Sequence, residues 1–97
     1  MFAGMYELEA RYDPRASFYG KAHVIIDDNG DHLLRSYNTI VAIVHAGANG
    51  DWAEVGGWYS ATTGRHIKEF LRQHGFRAVT KSQILDDYMY DEEDERL

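Results

Sequence analysis

At 97 residues the chain is long enough for one domain with one modest core and too short for two. It holds no cysteine, which excludes disulfides and thiolate metal sites and suits a reducing cytosol; no apolar run approaches the ~20 residues that span a bilayer, and Met1-Phe2-Ala3-Gly4 lacks the basic and apolar regions of a signal peptide. The net charge of −6 is unevenly placed: residues 86–97 hold seven acids and one base, residues 1–85 sum to zero, and within them 65–81 set five bases against Glu69.

From the start of the chain, Met5 to Asp13 alternates, with Tyr6, Leu8, Ala10 and Tyr12 on one face and charged residues on the other, the pattern of a half-buried strand. Asp13-Pro14 ends it, because proline has no N–H for a ladder. Ser17 to Ile26 reads as a second strand. Asp27-Asp28-Asn29-Gly30-Asp31 follows as a hairpin turn, since Asn-Gly accepts positive φ. His32 to Ala46 is read either as two strands, His32–Tyr37 and Thr39–His45, or as one long strand bent near Ser36–Asn38. The nearly continuous apolar run Thr39–Val44 predicts a central strand covered on both faces. Asp51 to Tyr59 predicts the last strand, kinked at Gly56-Gly57.

The segment from Tyr59 to Gly75 has the clearest signature in the chain. Thr62 or Thr63 caps a helix, Ile67, Phe70, Leu71 and His74 share one face, and Gly75 stops it. Thr80-Lys81-Ser82-Gln83 fits a capping box for a second helix with the stripe Ile84, Leu85, Tyr88 and Met89, fading after Tyr90 because acids oppose the dipole at a helix C-terminus. The sum is an α+β fold: an antiparallel sheet of four to five strands, with one main helix and a shorter C-terminal helix on one face. Residues 1–90 form a single domain, and 91–97 an acidic, frayed tail.

No chemical motif stands out. The acidic turn fails as an EF-hand, because with Gly30 at the sixth position Ile25 and Ser36 fall where ligands are required. The histidines, His23, His32, His45, His66 and His74, show no metal-ligand spacing, and no Walker loop, GxGxxG or GxSxG is present. The sequence therefore predicts no catalytic residues, no cofactor and no metal. Ser36, Tyr37, Thr39, Ser60, Thr62, Thr63, Arg65 and His66 gather around one strand bend and one helix entrance. A hydroxyl-rich helix entrance can bind an anion, but a hydrogen-bond network locking helix to sheet is the preferred account.

The run Ser36-Tyr37-Asn38-Thr39-Ile40-Val41-Ala42 and the later run Trp58 to Phe76, with Tyr59-Ser60-Ala61-Thr62-Thr63-Gly64-Arg65-His66 at its core, resemble short proteins of uncharacterised function encoded by phages and mobile elements. Asp13 to Ala22 resembles their N-terminal signature. The resemblance spans roughly residues 12–77 and implies no activity and no catalytic residues.

Charge placement and this resemblance together predict a non-enzymatic inhibitor of a host nucleic-acid-handling defence complex, acting as anti-CRISPR proteins do in the host cytosol. Its contact residues are Asp86, Asp87, Tyr88, Tyr90, Asp91, Glu92, Glu93, Asp94 and Glu95. Their carboxylates would stand in for phosphates in the basic channel of a host protein or ribonucleoprotein complex. One alternative is nucleic-acid binding through Arg65, Lys68, Arg72, Arg77 and Lys81, disfavoured by the net negative charge. Another is a small ligand-binding or hydrolase domain at Ser60, Thr63, Arg65 and His66, which requires a convergent pocket and a perturbed His66.

Overall fold

The computed structural model describes residues 2–14, 17–58 and 60–89. Five strands form one sheet in chain order: β1 (Phe2–Glu7), β2 (Ala22–Asp27), β3 (His32–Ser36), β4 (Thr39–His45) and β5 (Trp52–Val55), every neighbouring pair antiparallel. Two helices follow, α1 (Ala61–Gln73) and α2 (Lys81–Tyr88). The fold is α+β, as the periodicities predict.

The turns explain the meander. Asp27 Oδ1 accepts from the backbone N–H groups of Asn29 (2.9 Å) and Asp31 (3.0 Å), and Gly30 takes φ +85°, so the acidic cluster closes a hairpin. Ser36 pairs directly with Thr39, which resolves the long apolar stretch into two strands joined by Tyr37-Asn38. A bulge between Leu34 and Arg35 in the β3–β4 register lets consecutive Val41 and Ala42 both face inward, each 1% exposed.

Both helix ends follow local rules. Ser60, rather than Thr62 or Thr63, caps α1, its side chain accepting from the Thr63 N–H at 3.1 Å. After His74, Gly75 adopts φ +82° and the Phe76 N–H reaches back to the Leu71 carbonyl, a left-handed stop that a residue without Cβ makes cheaply. Thr80 caps α2 by accepting from the Gln83 N–H, as expected. The core joins Leu8, Val24, Leu34, Val44 and Val55 of the sheet side to Ile67, Phe70, Leu71 and Ile84 of the helices. Burying each such side chain contributes about 1.5–3 kcal/mol. α1 lies across β3 and β4, and α2 against β5.

Several expected boundaries shift. The first strand ends at Glu7 instead of continuing to Asp13, because the Glu69 carboxylate takes the N–H groups of Tyr12 and Asp13 and Gln73 donates to the Glu9 carbonyl. The second strand begins at Ala22, not Ser17: Phe18-Tyr19-Gly20-Lys21 is a turn, with the Lys21 N–H on the Phe18 carbonyl and positive φ at both Tyr19 and Gly20. The last strand stops at Val55, before the two glycines. β4 is also not covered on both faces. The helices occupy one side of the sheet, and on the other the register aligns Met5, Ile25, Leu33, Ile43 and Glu54 in one cross-strand row, with Ile40 40% exposed beside it.

Candidate functional site

Three local structures converge at one end of the inner sheet face: the Phe18–Lys21 turn before β2, the Ser36–Thr39 turn between β3 and β4, and the first turn of α1. They enclose a cavity of about 220 Å³ lined by Ser17, Phe18, Tyr19, Lys21, Tyr37, Thr62, Arg65 and His66. Tyr19 (φ +53°) and Tyr37 (φ +57°) are the non-glycine residues with positive φ among the described residues. A side chain in that region costs about 1–2 kcal/mol, and such strain gathers at functional sites. Tyr19 is 78% exposed and Tyr37 48% exposed.

His66 closes the inner wall. Its ring is fully buried, edge-on to Phe18 with centroids 4.8 Å apart and 6.0 Å from the Tyr37 ring. A chain of hydroxyls leads to it. Ser60 Oγ donates to Thr63 Oγ1 (3.2 Å), Thr63 Oγ1 lies 3.2 Å from Ser36 Oγ, and Ser36 Oγ lies 2.8 Å from His66 Nδ1. Either hydroxyl of the Thr63–Ser36 pair can donate, and in the tautomer where Ser36 donates onward, Nδ1 is the acceptor. The ring proton then sits on Nε2, which is buried and has no hydrogen-bond partner among the described residues. Leaving such a donor unsatisfied costs about 1–3 kcal/mol.

The charges around the cavity are partly compensated. Arg65 grips Asp13 in a two-point pair, Nε to Oδ2 and Nη2 to Oδ1, both 3.0 Å, with its guanidinium 5.3 Å from the Phe18 ring centroid. Burial first, then the Arg65 charge, lowers the His66 pKa from 6.5 to about 4, against a smaller opposing pull from Asp13. The ring is therefore neutral at pH 7: a hydrogen-bond donor, and a weak base compared with the near-neutral pKa that suits general-base catalysis. Ser36 sits in the geometry of a nucleophile beside a base, but it is only 2% exposed and no carboxylate orients the far side of the imidazole among the described residues.

The predicted residues are scattered relative to this centre. Ser60, Thr63, Arg65 and His66 do come together, and the hydroxyl network expected at the helix entrance is present. The basic set does not act as one open face. Arg65 holds Asp13, Arg72 Nε donates to the Ala78 carbonyl at 2.7 Å, and Lys81 lies over the Trp58 ring at 5.6 Å; Lys68 is half-buried and Arg77 exposed. Glu69, the acid set against those five bases in the sequence, is 1% exposed and anchors the chain after β1. At the acidic end, Asp86 and Asp87 are exposed on α2, and Asp87 accepts from Gln83 Nε2 at 2.7 Å. Tyr88 turns inward, its hydroxyl donating to the Arg77 carbonyl and its ring meeting Phe76 edge-on, and burial raises its pKa. Tyr90, Asp91, Glu92, Glu93, Asp94 and Glu95 lie outside the described residues. No metal-holding group of three or more His, Cys, Asp or Glu occurs among the described residues, and no helix there is long and apolar enough to cross a membrane.

Ser17, Phe18, Tyr19 and Lys21 are the cavity residues that sequence reasoning missed. A strand through Ser17–Ile26 would have splayed them apart, and the turn signal in Tyr19-Gly20 was available. The molecule is thus a small α+β domain in which a meander sheet and one capped helix frame a compact cavity. The chain belongs to a family of unknown function (DUF8033), whose model matches residues 6–86. No curated protein and no solved structure matches it.

Proposed function

We propose that this domain is a non-enzymatic binding module that takes a compact planar ligand into the cavity between the Phe18–Lys21 turn, the Ser36–Thr39 turn and α1. The observation that carries the reading is the buried His66 Nε2 in the cavity wall, a ring nitrogen without a hydrogen-bond partner among the described residues. A volume of about 220 Å³ lies between the ~150 Å³ that holds benzene and the ~300 Å³ where drug-sized pockets begin, so the occupant is of single-ring size. Phe18, Tyr19 and Tyr37 offer ring faces and edges to it, and Lys21, which joins no ion pair among the described residues, suits an anionic substituent. The His66 ring is fully buried, with the Phe18 and Tyr37 rings as neighbours, so contact with Nε2 requires a neighbouring side chain to move aside.

The test is to follow the His66 imidazole ¹⁵N resonances while titrating single-ring fragments, neutral and anionic. A ligand that shifts Nε2 is the expected result. If no fragment moves His66, the cavity is a packing feature and the reading fails.

A second reading keeps the anionic end as the contact surface. Asp86 and Asp87 face solvent and form no ion pair with the chain's own bases among the described residues. On this reading the domain occupies the basic nucleic-acid channel of a host defence complex, in the manner of an anti-CRISPR inhibitor. Capture of such a complex by the full chain, lost when Asp86 and Asp87 become asparagine and residues 90–97 are removed, is the outcome it requires. Equal capture by both forms would end it.

A further inference from the structure

The face of the sheet away from α1 and α2 carries Met5, Ile25, Leu33 and Ile43 in one row across four strands, with Ile40 and Trp52 beside it. Met5 and Trp52 are 52% and 53% exposed. Antiparallel sheets tolerate water on one side, but such a side normally reads polar along the row. Here the polar groups stand on either flank. One flank holds Glu7, His23 and Arg35, aligned across β1, β2 and β3, and the other holds Asp27, Asp31 and His45.

We infer that this face is a self-association surface, on which a second copy of the chain packs sheet to sheet about a two-fold axis lying along the Met5–Ile25–Leu33–Ile43 row.

The charge layout selects that axis. A rotation about the row exchanges the flanks, bringing Arg35 of one copy over Asp31 of the other on the same strand, and His23 over Asp27, each contact made twice. A two-fold axis along the strands would instead stack Arg35 on Arg35. Glu54, at the end of the row, is held in its own chain by His45 Nε2 at 2.9 Å. Arg35 is poorly satisfied among the described residues: its Nε is buried without a partner there, and its Nη2 lies 3.5 Å from His23 Nδ1. Sheets packed face to face in this way sit about 10 Å apart with inner side chains interdigitated. Five strands about 4.8 Å apart and five residues at about 3.3 Å give a footprint of roughly 400 Å² per copy, which makes the dimer transient rather than obligate.

Sedimentation velocity from about 10 μM to about 1 mM, in the weak-association range, tests this together with concentration-dependent amide shifts. Expected are a reversible dimer, shifts on Ile25, Leu33 and Ile43 with none on α1, and weakening as salt screens the flanking pairs. Leu33→Lys should abolish association and Arg35→Glu should weaken it about tenfold or more, a loss near 1.4 kcal/mol. Met5→Lys, at a more exposed position, repeats the test should Leu33→Lys disturb folding. A chain that stays monomeric throughout, or one whose shifts map to the helices, overturns the inference.

Discussion

His66 is neutral in the folded protein because burial and Arg65 hold its pKa near 4. In the unfolded chain the same ring titrates near 6.5, so between those values the unfolded state binds a proton that the folded state refuses. Stability is then complete above pH 6.5 and falls as the pH drops toward 4, by on the order of 3 kcal/mol. Urea unfolding across pH 4–7 should show this slope in the wild type, and it should flatten in His66→Gln. The two tyrosines make the complementary prediction. Because Tyr19 and Tyr37 sit at positive φ, Tyr19→Gly and Tyr37→Gly should each raise stability by about 1 kcal/mol while weakening ligand binding. Thermal melts and the fragment titration measure the two effects separately. Two losses of stability would show that the rings are held for packing alone.

α1 is the element on which the other parts converge, and two of its residues show how. Gly64 lies under Trp58: a Cβ there would run into the indole ring. Gly64→Ala gains about 1 kcal/mol of helix propensity but must displace a bulky ring, at about 1–3 kcal/mol, so the net effect is destabilising. A changed tryptophan emission spectrum should accompany it. Glu69 reaches the other way, binding the Tyr12 and Asp13 N–H groups with one oxygen and Gln73 with the other. Glu69→Ala strands two backbone donors and should cost about 2–5 kcal/mol, read as a lower urea midpoint. Neither role was legible in the sequence. The helix period, the Gly75 stop and the Thr80 cap were readable because they are local. The partner of a buried carboxylate 57 residues away in sequence was not.

For the molecule as a whole, the folded body reaches further toward the C-terminus than the charge pattern suggests. Asp86 and Asp87 belong to α2, Tyr88 ties that helix to Arg77, and Met89 pairs with Val55 at the sheet edge. A chain cut after Met89 keeps α2 and the Tyr88 contacts whole. Removing 86–97 cuts the last turn of α2 with the Tyr88 contacts and should cost about 1–3 kcal/mol. A calorimetric comparison of the two truncated chains checks this, and equal melting temperatures would show that the acids from Asp86 onward form a separable end after all.

Sequence by itself determined the class of fold and the order of its parts. Alternation, Asn-Gly turns and the 3.6-residue stripe of Ile67, Phe70 and Leu71 are short-range consequences of backbone geometry and water exclusion. Tertiary structure alone decided that the Phe18–Lys21 turn joins the strand bend and the helix entrance at the site. Phe18, Tyr37 and His66 meet because a bulged, twisted sheet carries two turns to one helix entrance, and no spacing along a chain encodes that distance. The same holds for the open sheet face: period-2 patterning marks apolar residues, but only the side on which the helices settle decides which of them remain exposed.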